Sequence, residues 1–191
     1  MSKDYFECSL VELQAELPAI RRDAEAEFGR LSATQLNWKP SADSWSVAQC
    51  LDHIMITNRA MLPPLQEIAE GRKRATLWER VPFLPGLVGR QFAKFFAPSS
   101  TQKFKAPPKV QPAASALDQQ IVKRYVAHQG EMESCFKALA QGAKGHIVMV
   151  SPLMRVMTYS ALDACRIIVA HERRHMAQAQ RVKALPEFPK A

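Results

Sequence analysis

The sequence predicts an all-α protein, a four-helix bundle with one long crossover connection, and three observations support this prediction. Apolar residues recur at spacings of three and four along four long segments, as in helices that bury one face. Prolines are clustered between the second and third of these segments. The only strand-like run is IVMV at residues 147–150, and one strand cannot form a sheet. Four long amphipathic helices joined in this way are typical of a bundle.

The first two helices are predicted from an apolar stripe and from a capping motif. Residues 4–28 carry apolar side chains at helical spacing, and we expect Pro18 to kink this helix locally. The second helix should begin at Ser46, which opens an S-x-x-Q capping box before an apolar run. We expect the pair Pro63–Pro64 to kink or break it, and Gly71 is the predicted stop.

The other two helices are predicted on the far side of a long connection. The third is expected from about residue 113 to 140, and the fourth from the capping motif at Ser160 to about residue 185. The connection, residues 72–112, should contain one small helix within the run LVGRQFAKFF at 87–96. Loops of this length are usually functional or flexible, and this one could cover one end of a pocket.

Composition predicts a single cytoplasmic domain over residues 1–191. Hydrophobic residues make up 47% of the chain, the share of an ordinary globular protein. No stretch approaches the roughly 20 apolar residues needed to cross a bilayer, and the N-terminus lacks the apolar core of a secretory signal. The four cysteines lie far apart with no C-x-x-C pair, so we expect reduced, buried thiols, one of which could border a metal pocket.

The net charge of +8 raises the question of an anionic partner. Nucleic acid is one such partner, but the sequence has none of the patterns of a nucleic-acid recognition element. Charge alone supports only weak, non-specific binding whose affinity falls with salt. We therefore expect no specific nucleic-acid partner and no membrane association.

The strongest candidate for chemistry is the histidine pair His171 and His175. Residues four apart in a helix lie one turn apart on one face, so the two imidazoles can share a metal ion. The segment HERRH also matches the H-E-x-x-H motif of zinc proteases. Against a protease stand the lack of a downstream third ligand, the charged pair Arg173 and Arg174 inside the motif, and the lack of a predicted sheet. The protease is therefore only a remote alternative.

A third ligand must come from elsewhere in the chain. His53 lies about two turns into the second helix, among polar and apolar neighbours that suit a wet pocket. Spacing alone does not distinguish it from His128, although a lone histidine on an apolar face is more often a core residue than a ligand. His146 follows a glycine and is expected on the surface of a loop.

Four segments, in this order, resemble the DinB-like superfamily, which includes the YfiT-type metal-dependent hydrolases. They are SWSVAQCLDHI (44–54), FKAPPKVQP (104–112), SPLMRVMTYSALDA (151–164) and HERRHMAQAQRV (171–182). The resemblance implies a four-helix bundle, often dimeric, that binds nickel or zinc. It also implies that one histidine on the second helix and an H-x-x-x-H pair on the fourth are the ligands. In this sequence those residues are His53, His171 and His175.

The resemblance leaves the activity open between two enzyme classes and a binding role. Some relatives are S-transferases that use a low-molecular-weight thiol such as mycothiol, bacillithiol or glutathione, and others are regarded as hydrolases. The transferase is slightly favoured, with a small-molecule substrate and a homodimer, and the alternative is a non-catalytic metal-binding or stress-response protein. Glu172 could be a general base or could pair with a neighbouring arginine, which we favour, and Asp52 is equally ambiguous.

Overall fold

The computed structural model describes residues 3–74, 79, 108–113, 116–154 and 157–190, and in them the fold is mostly helical. The four long helices of the predicted bundle are all present, with one additional short helix and a small β-hairpin, which confirms the all-α fold. In chain order the elements are α1 (Leu10–Phe28), α2 (Ala33–Asn37), α3 (Val47–Ala69), α4 (Ile121–Gln141), β1 (Val148–Val150), β2 (Thr158–Ser160) and α5 (Ala161–Lys183). Short 3₁₀ turns lie at Pro108–Val110 and Lys144–His146.

The four long helices pack so that each has two principal neighbours. Helix α1 contacts α4 and α5, and α3 contacts the same two helices, so that α1 and α3 lie diagonally across the bundle. Their apolar faces meet in one core in which Phe28, Leu51 and Phe136 have no exposed surface. Burial of such faces is the main source of helix stability in a protein. Helices α3 and α5, which carry the candidate ligands, are therefore direct neighbours.

Capping motifs fix where α3 and α5 begin, as predicted. The Ser46 hydroxyl accepts from the Gln49 amide at 3.1 Å, and the Gln49 side-chain oxygen accepts from the Ser46 amide at 3.2 Å. The Ser160 hydroxyl likewise accepts from the Asp163 amide at 3.1 Å. Each bond satisfies a backbone group that lacks a partner within the helix.

Helix α1 begins later than the predicted residue 4. Ser9 is its N-cap, and the Ser9 amide donates to Glu12 Oε2 at 2.8 Å while the Ser9 hydroxyl accepts from the Glu12 amide at 3.3 Å. This capping box starts the helix at Leu10. The S-x-x-E pattern in the sequence marks the true start.

Prolines do not interrupt the helices in which they lie. Helix α1 continues past Pro18, and α3 continues past Pro63 and Pro64 to Ala69, so this pair does not break the helix. The kinks expected at Pro18 and at Pro63–Pro64 stay predictions. The predicted stop after α3 is correct. Gly71 has a φ of 76°, a left-handed conformation that glycine adopts without a steric penalty, and its amide donates to the Ile68 carbonyl at 3.1 Å.

Helix α4 begins at Ile121, eight residues after the predicted start at 113. The Asn37 side chain bonds both polar backbone groups of Leu117: its Oδ1 accepts from the Leu117 amide at 2.8 Å and its Nδ2 donates to the Leu117 carbonyl at 2.7 Å. The Asp118 carboxylate accepts from the Gln120 amide at 2.7 Å. These side chains form the hydrogen bonds that helical backbone partners would form at Leu117 and Gln120, so the helix begins only at Ile121.

The expectation that no sheet forms is wrong. Strands β1 and β2 pair antiparallel, with Met149 opposite Tyr159 at the centre of the register. The β-branched and aromatic residues Thr158 and Tyr159 supply the second strand, which was not predicted from the sequence. The small helix predicted at 87–96 lies outside the described residues.

Two further expectations can be compared with the structure. All four cysteines are buried and unpaired, as predicted. Among the described residues, no helix has both the length and the apolar character that a bilayer span requires.

The contact between Asn37 and Leu117 can be tested by mutation. We expect Asn37→Ala to lower the free energy of unfolding by about 1–2 kcal/mol, because two part-buried backbone groups lose their partner. Urea denaturation gives this value. Asn37→Asp, which retains the acceptor but not the donor, should fall between the wild type and Asn37→Ala, and equal stability of all three proteins would contradict the assignment.

Candidate metal centre

The packing of α3 against α5 brings His53, His171 and His175 together. One ring nitrogen from each lies within 4.8 Å of those from the other two, and His53 Nε2 is 3.1 Å from His171 Nε2. All three side chains are buried, with 4%, 8% and 9% of their surface exposed, respectively. His171 and His175 lie one turn apart on the same face of α5, as the sequence predicts, and their ring centroids are 4.5 Å apart.

Hydrogen bonds at the outer nitrogens orient two of the three rings. His53 Nδ1 lies 2.6 Å from the Val110 carbonyl oxygen, and His175 Nδ1 lies 3.0 Å from Gln178 Oε1. A carbonyl oxygen can only accept, so Nδ1 carries the hydrogen in both rings. The Nε2 atom of each neutral ring therefore keeps a free lone pair. Such bonds at the outer nitrogen accompany almost all metal-binding histidines.

Trp45, the residue before the N-cap of α3, packs against the histidine cluster. Its ring centroid is 4.7 Å from that of His53 and 5.5 Å from that of His175, with the second pair nearly parallel at 27°. The indole thus contacts a ligand candidate on each of the two helices. The half-buried aromatic ring reduces the access of water to this side of the cluster.

Burial keeps the three imidazoles neutral. It lowers the pKa of His53 and, together with the other two rings, holds the pKa of His171 well below its usual value. Burial and the nearby His53 lower the pKa of His175 to about 3, with a further contribution from the positive charges of Arg174 and Arg181. Neutral imidazole is the form that binds a metal ion, so the cluster needs no deprotonation near pH 7.

These residues fit a divalent ion. Two nitrogens each about 2.1 Å from one ion are about 3.0–3.4 Å apart at right or tetrahedral angles. The measured separation of 3.1 Å between His53 and His171 falls in this range. Without a shared ion or proton, two nitrogen lone pairs at this distance would repel each other. The donor set, the spacing and the oriented rings therefore all suit a three-histidine metal site.

A sequence profile of the DinB superfamily matches residues 16–179, which covers most of the chain. The chain belongs to the DinB superfamily. The predicted resemblance is thereby confirmed. No curated protein and no solved structure matches the chain, so family membership is the only comparison that bears on this site.

The remaining two histidines of this DinB superfamily protein lie outside the cluster. His128 is buried on α4, where Nδ1 contacts Glu131 at 3.2 Å. Its Nε2 has no hydrogen-bond partner among the described residues. His128 is therefore a core residue with only one of its two ring nitrogens hydrogen-bonded. His146 is exposed, in agreement with its predicted position on a loop.

Glu172 lies in the core of the bundle. Its carboxylate accepts from Asn58 of α3 at 2.5 Å and from Gln129 and Tyr125 of α4 at 2.9 and 3.2 Å. Burial raises the pKa of Glu172 to about 7, although all three hydrogen bonds act in the opposite direction. These contacts join three helices and fix the rotation of α5 beside His171. Sequence reasoning missed the network because its members are far apart in the chain.

The contacts of Glu172 also bear on the two roles predicted for it. Its hydrogen-bond partners are neutral side chains, and the neighbouring Arg173 instead pairs with Glu16 and Asp23 of α1, so the favoured arginine pairing does not form with Arg173. The role of general base stays a prediction. However, a protease base must reach water at the metal, and this carboxyl has no exposed surface and already accepts three bonds. The protease alternative is weakened accordingly.

Asp52, the other ambiguous acid, lies on the surface of α3 that faces the end of the long connection. Its Oδ2 accepts from the Ala113 amide at 2.9 Å. Asp52 therefore accepts a hydrogen bond from the backbone of the connection, and it does not belong to the group of potential metal ligands.

The lowered histidine pKa values predict acid sensitivity of the metal-free protein. Between about 3 and the unfolded value of about 6.5, the unfolded chain binds a proton at His175 that the folded chain does not. Stability should therefore fall as the pH drops below about 6.5, by about 1.4 kcal/mol per pH unit for this residue. Urea denaturation between about pH 7 and pH 5 should give a shallower slope for His175→Gln.

Glu172 supplies a control, because its effect on the pH dependence of stability is opposite to that of His175. Its pKa is raised in the folded state, so it contributes more stability at low pH and less as the pH rises towards 7. Glu172→Gln should therefore make the loss of stability on acidification steeper. Identical slopes for the wild type and His175→Gln would contradict the assignment of a buried, neutral His175.

Proposed function

We propose that this DinB superfamily protein is a divalent-metal-dependent enzyme with His53, His171 and His175 as its metal ligands. The observation that carries the proposal is the convergence of three buried, neutral imidazoles from two helices, with their ring nitrogens within 4.8 Å of one another. Burial disfavours the protonated form of these rings, and a neutral imidazole nitrogen is a ligand for a metal ion. We propose nickel or zinc as the ion, since imidazole suits both.

Three protein ligands leave coordination positions for a substrate. A divalent ion held there supplies a Lewis acid for a substrate oxygen or sulfur. The chain contributes the orientation of the rings through Val110 and Gln178, and Trp45 restricts water at one side. The arrangement therefore suits reactions that need one activated nucleophile at a site partly shielded from water.

Of the two enzyme classes, we propose a thiol-dependent S-transferase ahead of a hydrolase. Arg174 and Arg181 exert positive charge at His175, which favours an anionic low-molecular-weight thiol and its thiolate form. Glutathione, mycothiol and bacillithiol all carry the required chemistry. A small electrophile is the second substrate in this scheme. A hydrolase would use the same site with water in place of the thiol.

The cellular setting is proposed from the sequence and from family membership. We propose a single domain over residues 1–191 that acts in the cytoplasm as a homodimer. The exposed apolar side chains of Val11, Leu153 and Met154 on the described surface are compatible with self-association. Analytical ultracentrifugation at micromolar concentration would measure the oligomeric state directly.

The metal ligands can be tested by elemental analysis of protein purified without added metal. We expect about one nickel or zinc ion per chain in the wild type, and a loss of most of it in His53→Ala, His171→Ala and His175→Ala, because two imidazoles bind far more weakly than three. His146→Ala removes an exposed histidine outside the cluster and should retain the ion. Full metal content in all three cluster variants would contradict the proposal.

Catalysis is tested separately with metal-loaded protein, a panel of the three thiols and a chromogenic electrophile. We expect turnover that requires both thiol and metal and that falls at least about 100-fold in His171→Ala, in line with the loss of a metal ligand. Hydrolysis without thiol would favour the hydrolase. A protein that binds metal but turns over no substrate of either class would instead be the non-catalytic metal-binding protein.

A further inference from the structure

The end of the long connection, residues 108–113, docks on the surface of α3 beside the histidine cluster. Two side chains of α3 hold both polar backbone groups of one residue in it. The Ala113 amide donates to Asp52 Oδ2 at 2.9 Å, and Gln49 Nε2 donates to the Ala113 carbonyl at 2.9 Å. A pair of bonds to one residue fixes the position and the direction of the backbone there.

The same segment contacts a candidate ligand three residues earlier. The Val110 carbonyl accepts from His53 Nδ1 at 2.6 Å, a shorter distance than either bond at Ala113, and the Val110 side chain is buried. Gln49, Asp52 and His53 are spaced by three and four residues and therefore share one face of α3. The side chains of Gln49, Asp52 and His53 thus all form hydrogen bonds with the backbone of the same short segment.

The orientation of His53 depends on where that backbone lies. Only an acceptor at Nδ1 selects the tautomer whose Nε2 lone pair faces His171, and only a fixed acceptor holds the ring plane. Val110 has no side-chain polar group that could anchor its own carbonyl. Three residues after Val110, the two bonds from α3 at Ala113 anchor the backbone of this segment.

We propose that Asp52 and Gln49 are positioning residues of the metal site, which act on His53 through the docked segment 108–113. The inference rests on the proposed metal binding by the three histidines. It adds that metal affinity and docking of the segment are coupled, and such coupling is reciprocal: the metal stabilises the docked segment, and the docked segment strengthens metal binding. Loss of a comparable outer partner of a ligand histidine costs about 10- to 100-fold in metal affinity.

Asp52 is the better position to mutate, because Gln49 also caps α3. Zinc affinity of the full-length protein would be measured by competition with a chromophoric chelator, and the ligand geometry by the electronic spectrum of the cobalt(II)-substituted protein. We expect Asp52→Ala to bind zinc about 10-fold more weakly and to alter the cobalt spectrum. Asp52→Asn retains an oxygen acceptor for the Ala113 amide and should restore most of the affinity.

Asp118→Ala is the matched control. It removes a carboxylate bond to a backbone amide, that of Gln120 at 2.7 Å, in an exposed position before α4, together with the exposed ion pair between Asp118 and Arg124. It should lower stability without changing zinc affinity or the cobalt spectrum. Weakening of zinc binding by Asp118→Ala to the same extent as by Asp52→Ala would show a general effect of stability and would overturn the inference.

Hydrogen exchange at the Ala113 amide supplies the reciprocal measurement. Zinc should slow this exchange in the wild type, and the effect should be lost in Asp52→Ala. If the wild type binds zinc but Asp52→Ala has the wild-type affinity and spectrum, the inference is wrong while the proposed function stands. If the wild type binds none of zinc, nickel and cobalt, the proposed function fails, and the inference with it.

Discussion

The contact between α3 and α5 is the constraint on which the candidate site depends. His53 lies on one of these helices and His171 and His175 on the other, so a metal site exists only if the two helices keep their separation and rotation. Apolar packing sets the separation. The buried carboxylate of Glu172 sets the rotation, because it accepts bonds from α3 and α4 while the next residue along the chain, Arg173, pairs with α1. A conformation in which α5 turned about its axis would break these bonds.

The bundle could be predicted because its helices are determined mainly by residues close together in the sequence. Apolar spacing and capping residues at Ser46 and Ser160 locate two helices to within one residue, and Ser9 would have located a third had its motif been used. The errors arose where a distant side chain decides the local structure. Asn37 binds the backbone at Leu117 and delays α4, and strand β1 forms only because β2 lies opposite to it. No window of sequence contains both partners of such contacts.

The candidate site, likewise, could be predicted from the sequence only where it depends on residues close together in the chain. The spacing of His171 and His175 predicts a shared face without any knowledge of the fold, but spacing did not separate His53 from His128, and family resemblance made that choice. The structure places His53 in the cluster and His128 in the core. The roles of Glu172 and Asp52 were out of reach, since their partners lie at least 43 residues away in the chain. Such acids next to ligands are easily mistaken for catalytic groups.

The central claim is that three imidazoles share one ion, and X-ray absorption spectroscopy of the protein loaded with one equivalent of zinc tests it most directly. The account predicts a first shell of nitrogen and oxygen only, at about 2.0–2.1 Å, with the outer-shell scattering of three imidazole rings. None of the four buried cysteines belongs to the histidine cluster, so we expect no sulfur scattering. A sulfur ligand at about 2.3 Å, or fewer than three imidazoles, would contradict the account.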